Sequence, residues 1–183
     1  MSPDFGMPSA DPVAVYGLRA GLALLLAAAA GHKWRAPHAF RIALADYQLL
    51  PPGWVAPVAR ALPVGEGLLA AGLLVPDTAR SAALAAALLL GVYAAAMGIN
   101  LARGRDQLSC GCLGPAADAP LHAGLLVRNG LLAAAALAAS ASPAARPWTG
   151  LDGLSLAGAV ASFALLYLAG ESLLAASRRR LVS

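Results

Sequence analysis

The stretch Leu108-Ser109-Cys110-Gly111-Cys112-Leu113-Gly114 holds both cysteines of the chain, one glycine apart. Two thiols this close can form a disulfide, grip a soft metal ion, or sit side by side without joint chemistry. A Cys-Gly-Cys disulfide closes a small ring, so its geometry is forced from the relaxed optimum and the bond is easily reduced. Gly111 tolerates the backbone angles such a ring demands. The C-x-C spacing by itself names none of the three. Two thiolates are half the ligands of a structural zinc site, and His122 stands ten residues beyond Cys112, so no zinc centre is expected. Cu(I), which accepts few and soft ligands, fits the pair better.

The thiolate is the reactive form of cysteine, and neighbouring cations favour it. Candidates for that support are the polar residues set into apolar surroundings: Arg60, Glu66, Asn100, Arg128 and Asn129, with Lys33 and Tyr47 nearby in the pattern. Ionisable residues inside membrane spans are costly and usually functional.

The elements that must position these groups follow from composition. Of 183 residues, 60% are hydrophobic and only 12% charged, and mean hydropathy is +0.70. Soluble domains run near 45–50% apolar and ~25% charged. The chain is therefore expected to be a single membrane domain over 1–183, all-α, a polytopic helical bundle. Apolar spans are expected at 13–31, 54–75, 79–102, 121–140 and 154–176, five transmembrane helices in all, a four-helix core plus one. Between the first two, Phe40, Ala43, Leu44 and Tyr47 recur at helical intervals beside Lys33, Arg35, Arg41, Trp34 and Trp54. That pattern predicts an amphipathic helix at the membrane interface over 36–49, stopped by Pro51-Pro52-Gly53. Pro76-Asp77 reads as a tight turn, with Asp77 or Thr78 capping the next helix. Gly17 and Gly21 are spaced for close helix contact.

Five spans put Arg80 and Arg146 on the N-terminal face. The opposite face receives Lys33, Arg35, Arg41, Arg103, Arg105, Arg178, Arg179 and Arg180. The positive-inside rule assigns that opposite face to the cytoplasm. Helix rise puts Arg60 roughly 9 Å and Arg128 roughly 10 Å below it. Asn100, Tyr47, Lys33 and both cysteines belong to the same end, and Glu66 lies near the midplane. Arg60 and Glu66, six apart, fall on different faces of one helix, so Glu66 is expected to pair with Arg128. No phosphate-binding glycine loop, Ser/His/Asp set or nucleic-acid signature is present, and the arginines suit anionic lipid.

Gly31-His32-Lys33, Phe40…Tyr47-Gln48-Leu49-Leu50-Pro51, Leu62-Pro63-Val64-Gly65-Glu66, Ser109-Cys110-Gly111-Cys112-Leu113-Gly114 and Val127-Arg128-Asn129 together resemble the MauE family of methylamine-utilisation membrane proteins, grouped with DoxX-like redox-associated membrane proteins. The likeness covers most of 13–140, leaving 141–183 as a loop, a fifth helix and a basic tail. Leu113 stands where the family usually has Phe. The resemblance implies a helical bundle in the bacterial plasma membrane and a role in thiol redox or maturation around a thioredoxin-like partner and a disulfide-containing client. In methylamine systems that client is the small subunit of methylamine dehydrogenase.

Three functions then compete. In the first, a membrane thiol:disulfide oxidoreductase, Cys110 and Cys112 cycle between dithiol and disulfide against a redoxin. A quinone fits as a further acceptor, although no residue marks its site. In the second, a non-enzymatic assembly factor or chaperone holds the client. In the third, the pair handles Cu(I). Exported disulfide chemistry belongs outside the cytoplasm, whereas the charge count puts the cysteines inside; the two expectations stand against each other.

Overall fold

A computed structural model describes residues 9–105, 107–108, 121–147 and 149–181, with the backbone alone at 9, 163, 166–168 and 170–181. Cys110 and Cys112 lie outside the described residues. Among the described residues six helices follow in order: α1 (Pro12–Arg35), α2 (Pro37–Asp46), α3 (Pro52–Leu74), α4 (Pro76–Ala102), α5 (Ala123–Ala139) and α6 (Gly150–Leu181). A short ribbon pairs β1 (Ser9–Ala10) in parallel with β2 (Ser142–Pro143). The sequence carries no signal for that ribbon, because two residues are too few for a strand pattern. The protein is an all-α membrane bundle: α1, α3 and α4 are long and apolar enough to cross a bilayer, and α5 is a shorter apolar helix.

Four helices open on a proline: Pro12, Pro37, Pro52 and Pro76. The ring presets the helical φ, and the missing N–H is one that the first turn would leave unpaired anyway. Pro52 and Pro76, read from sequence as stop and turn, are thus helix starts. Only Val75, in extended conformation, separates α3 from α4. Thr78 does not cap α4. Its hydroxyl donates backwards to the Gly72 carbonyl at 2.9 Å and so closes the C-terminus of α3. At Gly72 an added Cβ would sit 3.0 Å from Ala82 Cβ, so glycine here lets α3 and α4 approach closely.

The first helix runs past Gly31 to Arg35, so the segment expected to leave the membrane at His32 is still helical. His32, Lys33 and Arg35 fall in its last turn, where cations complement the helix dipole. The expected interfacial helix is α2, which buries none of its residues. It is followed by Gln48 at φ +50°, a left-handed turn into Pro51-Pro52.

Small residues let the helices approach. Leu22, Ala23 and Leu26 of α1, Ala70 and Leu73 of α3, Ala82, Ala83, Ala86, Ala87 and Leu90 of α4, and Ala136 and Ala139 of α5 form one core cluster. Within a membrane, where apolar burial gives no net drive between helices, such close van der Waals packing is what associates them. A second cluster at the other end joins Tyr47, Met97 and Leu121. The sixth helix packs on α1; a Cβ at Gly17 would meet Leu156 Cδ1 at 3.8 Å. Its first turn is fixed by Asp152, which accepts from both Arg146 nitrogens at 2.8 Å and from the Thr149 N–H at 2.8 Å. Arg146 and the Thr149 N–H together hold the Asp152 carboxyl below the ordinary carboxylate range.

Candidate functional site: a buried polar node

The buried stripe of α1 is Leu22, Leu26, Ala29, Ala30 and Lys33, helical spacing that ends in a cation. On α3 it is Pro63, Glu66, Ala70 and Leu73. Lys33 and Glu66 are thereby both turned into the bundle, as is Arg19 nearer the start of α1. Lys33 Nζ lies 2.5 Å from Glu66 Oε1, with the two side chains 2% and 0% exposed. Tyr93 of α4 donates its hydroxyl to the same oxygen at 2.8 Å. The Lys33 ammonium also stands over the Phe40 ring at 5.2 Å and the Tyr93 ring at 5.5 Å. Phe40 thereby lays α2 across the end of the ion pair, and each cation–π contact adds about 0.5–2 kcal/mol.

This corrects the expected Glu66–Arg128 pairing. Continuation of α1 to Arg35 carries Lys33 inward along the buried face, and its long stem reaches Glu66 first. Arg128 nevertheless reaches the same place from α5. Lys33, Glu66, Tyr93, Arg128 and Asn129 line one small cavity. Glu66 Oε2 and Arg128 Nε are both buried in it without a hydrogen-bond partner among the described residues. Asn129 spends its amide on the Leu125 carbonyl of its own helix at 3.0 Å. The node holds two cations, Lys33 and Arg128, against one carboxylate, Glu66.

The loop that carries the cysteines is rooted beside this node. The Leu121 N–H donates to the Leu108 carbonyl at 3.0 Å and closes the base of segment 109–120. Leu108 and Leu121 pack with Tyr47 and Met97. Arg105 straps the base down: it donates to the Asp46 carbonyl at 2.8 Å, to the Tyr47 carbonyl at 3.4 Å and to Asn100 Oδ1 at 3.2 Å. Asn100, wholly buried, donates in turn to the Ala96 carbonyl at 3.1 Å. His122 Nδ1 accepts from the Gly124 N–H at 3.1 Å and caps α5.

The sequence-predicted residues thus fall into three groups. Lys33, Glu66, Arg128 and Asn129 meet at the node. Asn100 and Tyr47 meet at the root of the loop. Arg60 is exposed on α3 and joins neither. Tyr93 and Arg105 were not anticipated as site residues. Tyr93 had a legible signal, since Leu90, Tyr93, Met97 and Asn100 continue one helical stripe. Arg105 had none, because its partners are chiefly backbone carbonyls from a distant turn. Arg105→Ala is expected to speed amide hydrogen exchange in 101–108 and 46–49 while the exchange of α4 around Ala86 stays unchanged. Unaltered exchange at the loop root would show that the strap contributes nothing.

The family described as "Methylamine utilisation protein MauE" matches residues 11–142, from the start of α1 through α5 to β2. The chain is 42% identical over 166 residues to methylamine utilization protein MauE of Paracoccus denitrificans, covering 89% of this chain and 88% of that protein. To the protein of the same name from Paracoccus versutus it is 40% identical over 138 residues, covering 75% and 74%. To that of Methylorubrum extorquens it is 36% identical over 165 residues, covering 90% and 89%. No solved structure matches the chain significantly. A match over α1 to α5, with similarity to these relatives sustained over most of both chains, makes this membrane protein a member of the MauE family.

Proposed function

We propose that the protein is an accessory membrane protein of methylamine utilisation whose Cys110 and Cys112 exchange a disulfide with a thioredoxin-like partner serving a disulfide-containing client. The accessory role rests on the relatives' shared name. The redox reading is supported by one observation above all: the node near the root of the cysteine loop carries a surplus positive charge. A surplus cation favours thiolate over thiol. Arg128 belongs to the helix that begins just after the loop, and Cys112 is the nearer cysteine along the chain, so Cys112 is assigned as attacker and Cys110 as resolver.

The exchange balances without other reagents. The Cys112 thiolate attacks one sulfur of the partner's disulfide and expels the other as thiolate. Cys110 then attacks Cys112 and releases the reduced partner. Two electrons pass to the partner, and the chain is left with a Cys110–Cys112 disulfide. In the opposite direction, the strained Cys-Gly-Cys disulfide oxidises a dithiol partner. A quinone is the acceptor class that would re-oxidise the pair within the bilayer.

Removing the resolving thiol strands the intermediate. Cys110→Ser, expressed in a methylamine-utilising host lacking its own copy, is expected to give a reductant-sensitive adduct on a non-reducing gel. Cys112→Ser should give far less. If neither variant forms an adduct and the double serine variant still supports growth on methylamine, the thiol reading fails and a non-covalent assembly role replaces it. Copper that co-purifies with the native chain, and is lost from either single variant, would replace it with Cu(I) handling.

A further inference from the structure

Glu66 lies at the meeting point of four helices. Lys33 comes from α1, Glu66 from α3, Tyr93 from α4 and Arg128 from α5. Oε1 of the carboxylate is saturated by the ammonium and the phenol. Oε2 is buried and has no hydrogen-bond partner among the described residues, and the same holds for Arg128 Nε, an N–H donor. An acceptor without a donor and a donor without an acceptor thus belong to two residues that line one small cavity. A buried polar atom left unpaired is costly, the more so when it belongs to a charged group.

The enclosure has a volume of about 20 Å³. A water site needs roughly 10–15 Å³ of such space and two to four polar partners. The remaining wall is apolar: Leu26, Ala29 and Leu90 are buried, and Leu25 and Leu132 are half-buried. The volume is too small for an organic ligand and sufficient for one water.

We propose that this cavity is a binding site for a single ordered water molecule, which accepts from Arg128 Nε–H and donates to Glu66 Oε2. The water ties Arg128 to the Lys33–Glu66 pair without direct contact. It also extends the polar network from three helices to all four core helices. It leaves the net charge of the node unchanged, so the site is independent of how the cysteines react.

X-ray radiolytic footprinting of the full-length protein in detergent, read by mass spectrometry, tests this directly, because bound water generates hydroxyl radical within reach of otherwise buried side chains. Leu26 and Leu73 are matched probes, 1% and 2% exposed, and only Leu26 lines the cavity. Leu26 is expected to be oxidised several-fold faster than Leu73, with incorporated oxygen exchanging slowly from 18O-labelled bulk water. In Ala29→Val, whose added methyls fill the cavity, the excess at Leu26 should vanish. Equal oxidation of Leu26 and Leu73 in the native chain overturns the site, and so does an excess at Leu26 that survives in folded Ala29→Val. The native-chain comparison decides the matter by itself if that variant does not fold.

Discussion

Lys33→Met is expected to destabilise the protein by about 3–5 kcal/mol, the usual cost of removing one member of a buried ion pair. Methionine matches the lysine stem in length and keeps its packing, so the loss isolates the charge. Glu66, wholly buried, would be left with the Tyr93 hydroxyl alone on Oε1. Glu66→Lys should be worse still, since it would gather three cations from Lys33, position 66 and Arg128 within one small enclosure. Glu66→Gln should be the mildest change at this position, because an amide oxygen still accepts from Tyr93 and Lys33. Removing both charges in Lys33→Met/Glu66→Leu should recover part of the single-mutant loss, although the Tyr93 hydroxyl then loses its bond to Glu66. Unfolding midpoints in a detergent–SDS titration provide the measurement. Equal midpoints for Glu66→Gln and Glu66→Lys would mean that position 66 meets water or headgroups rather than the bundle interior.

Arg19→Leu is expected to cost about 3 kcal/mol, taking charge-assisted hydrogen bonds at about 1.5–3 kcal/mol each. This guanidinium, 6% exposed, donates from Nε to the Ala139 carbonyl at 3.0 Å and from a terminal nitrogen to the Ala141 carbonyl at 3.1 Å. It thereby closes the C-terminus of α5, where the last carbonyls have no partner within the helix. Lipid offers them no replacement donor. Leucine keeps the apolar bulk and removes both bonds. Arg19→Lys should recover only part of the loss, because an ammonium lacks the fork that serves two carbonyls at once. Amide exchange in 136–141 should rise in Arg19→Leu while α3 remains protected. Wild-type exchange at that helix end would show that lipid or solvent groups satisfy the carbonyls and that Arg19 is dispensable.

Arginine at this position was legible only as an anomaly in an apolar span. Its role as the cap of a helix more than a hundred residues away depends on how α1 and α5 cross, which no local pattern encodes. The same holds for Arg105, whose main acceptors are carbonyls at the end of α2. Lys33 is the instructive intermediate case. Taken as part of a basic, aromatic-rich connection, it looks interfacial. Taken as the continuation of Leu22, Leu26 and Ala29, it is the next position of a buried stripe. The second description is the one the structure bears out, because nothing after Gly31 breaks the helix until Ala36.

The amino-acid sequence alone determines the membrane environment, the helical class, the apolar helices α1, α3, α4 and α5, and the existence of the short helix α2. These follow from hydropathy and periodicity, which act over a single turn or span and do not require knowing which helix neighbours which. It also determines that Glu66, Arg128, Asn129 and Asn100 must be accommodated by partners, since no apolar helix can carry them unpaired into lipid. What only the tertiary structure decides is who those partners are. Lys33 reaches Glu66, Arg60 turns outward, and Arg128 shares the enclosure without joining the ion pair. Charges from different helices are matched by crossing geometry and by the length of each side chain, and both emerge only when small residues such as Gly72 and Ala82 have let the helices close to contact.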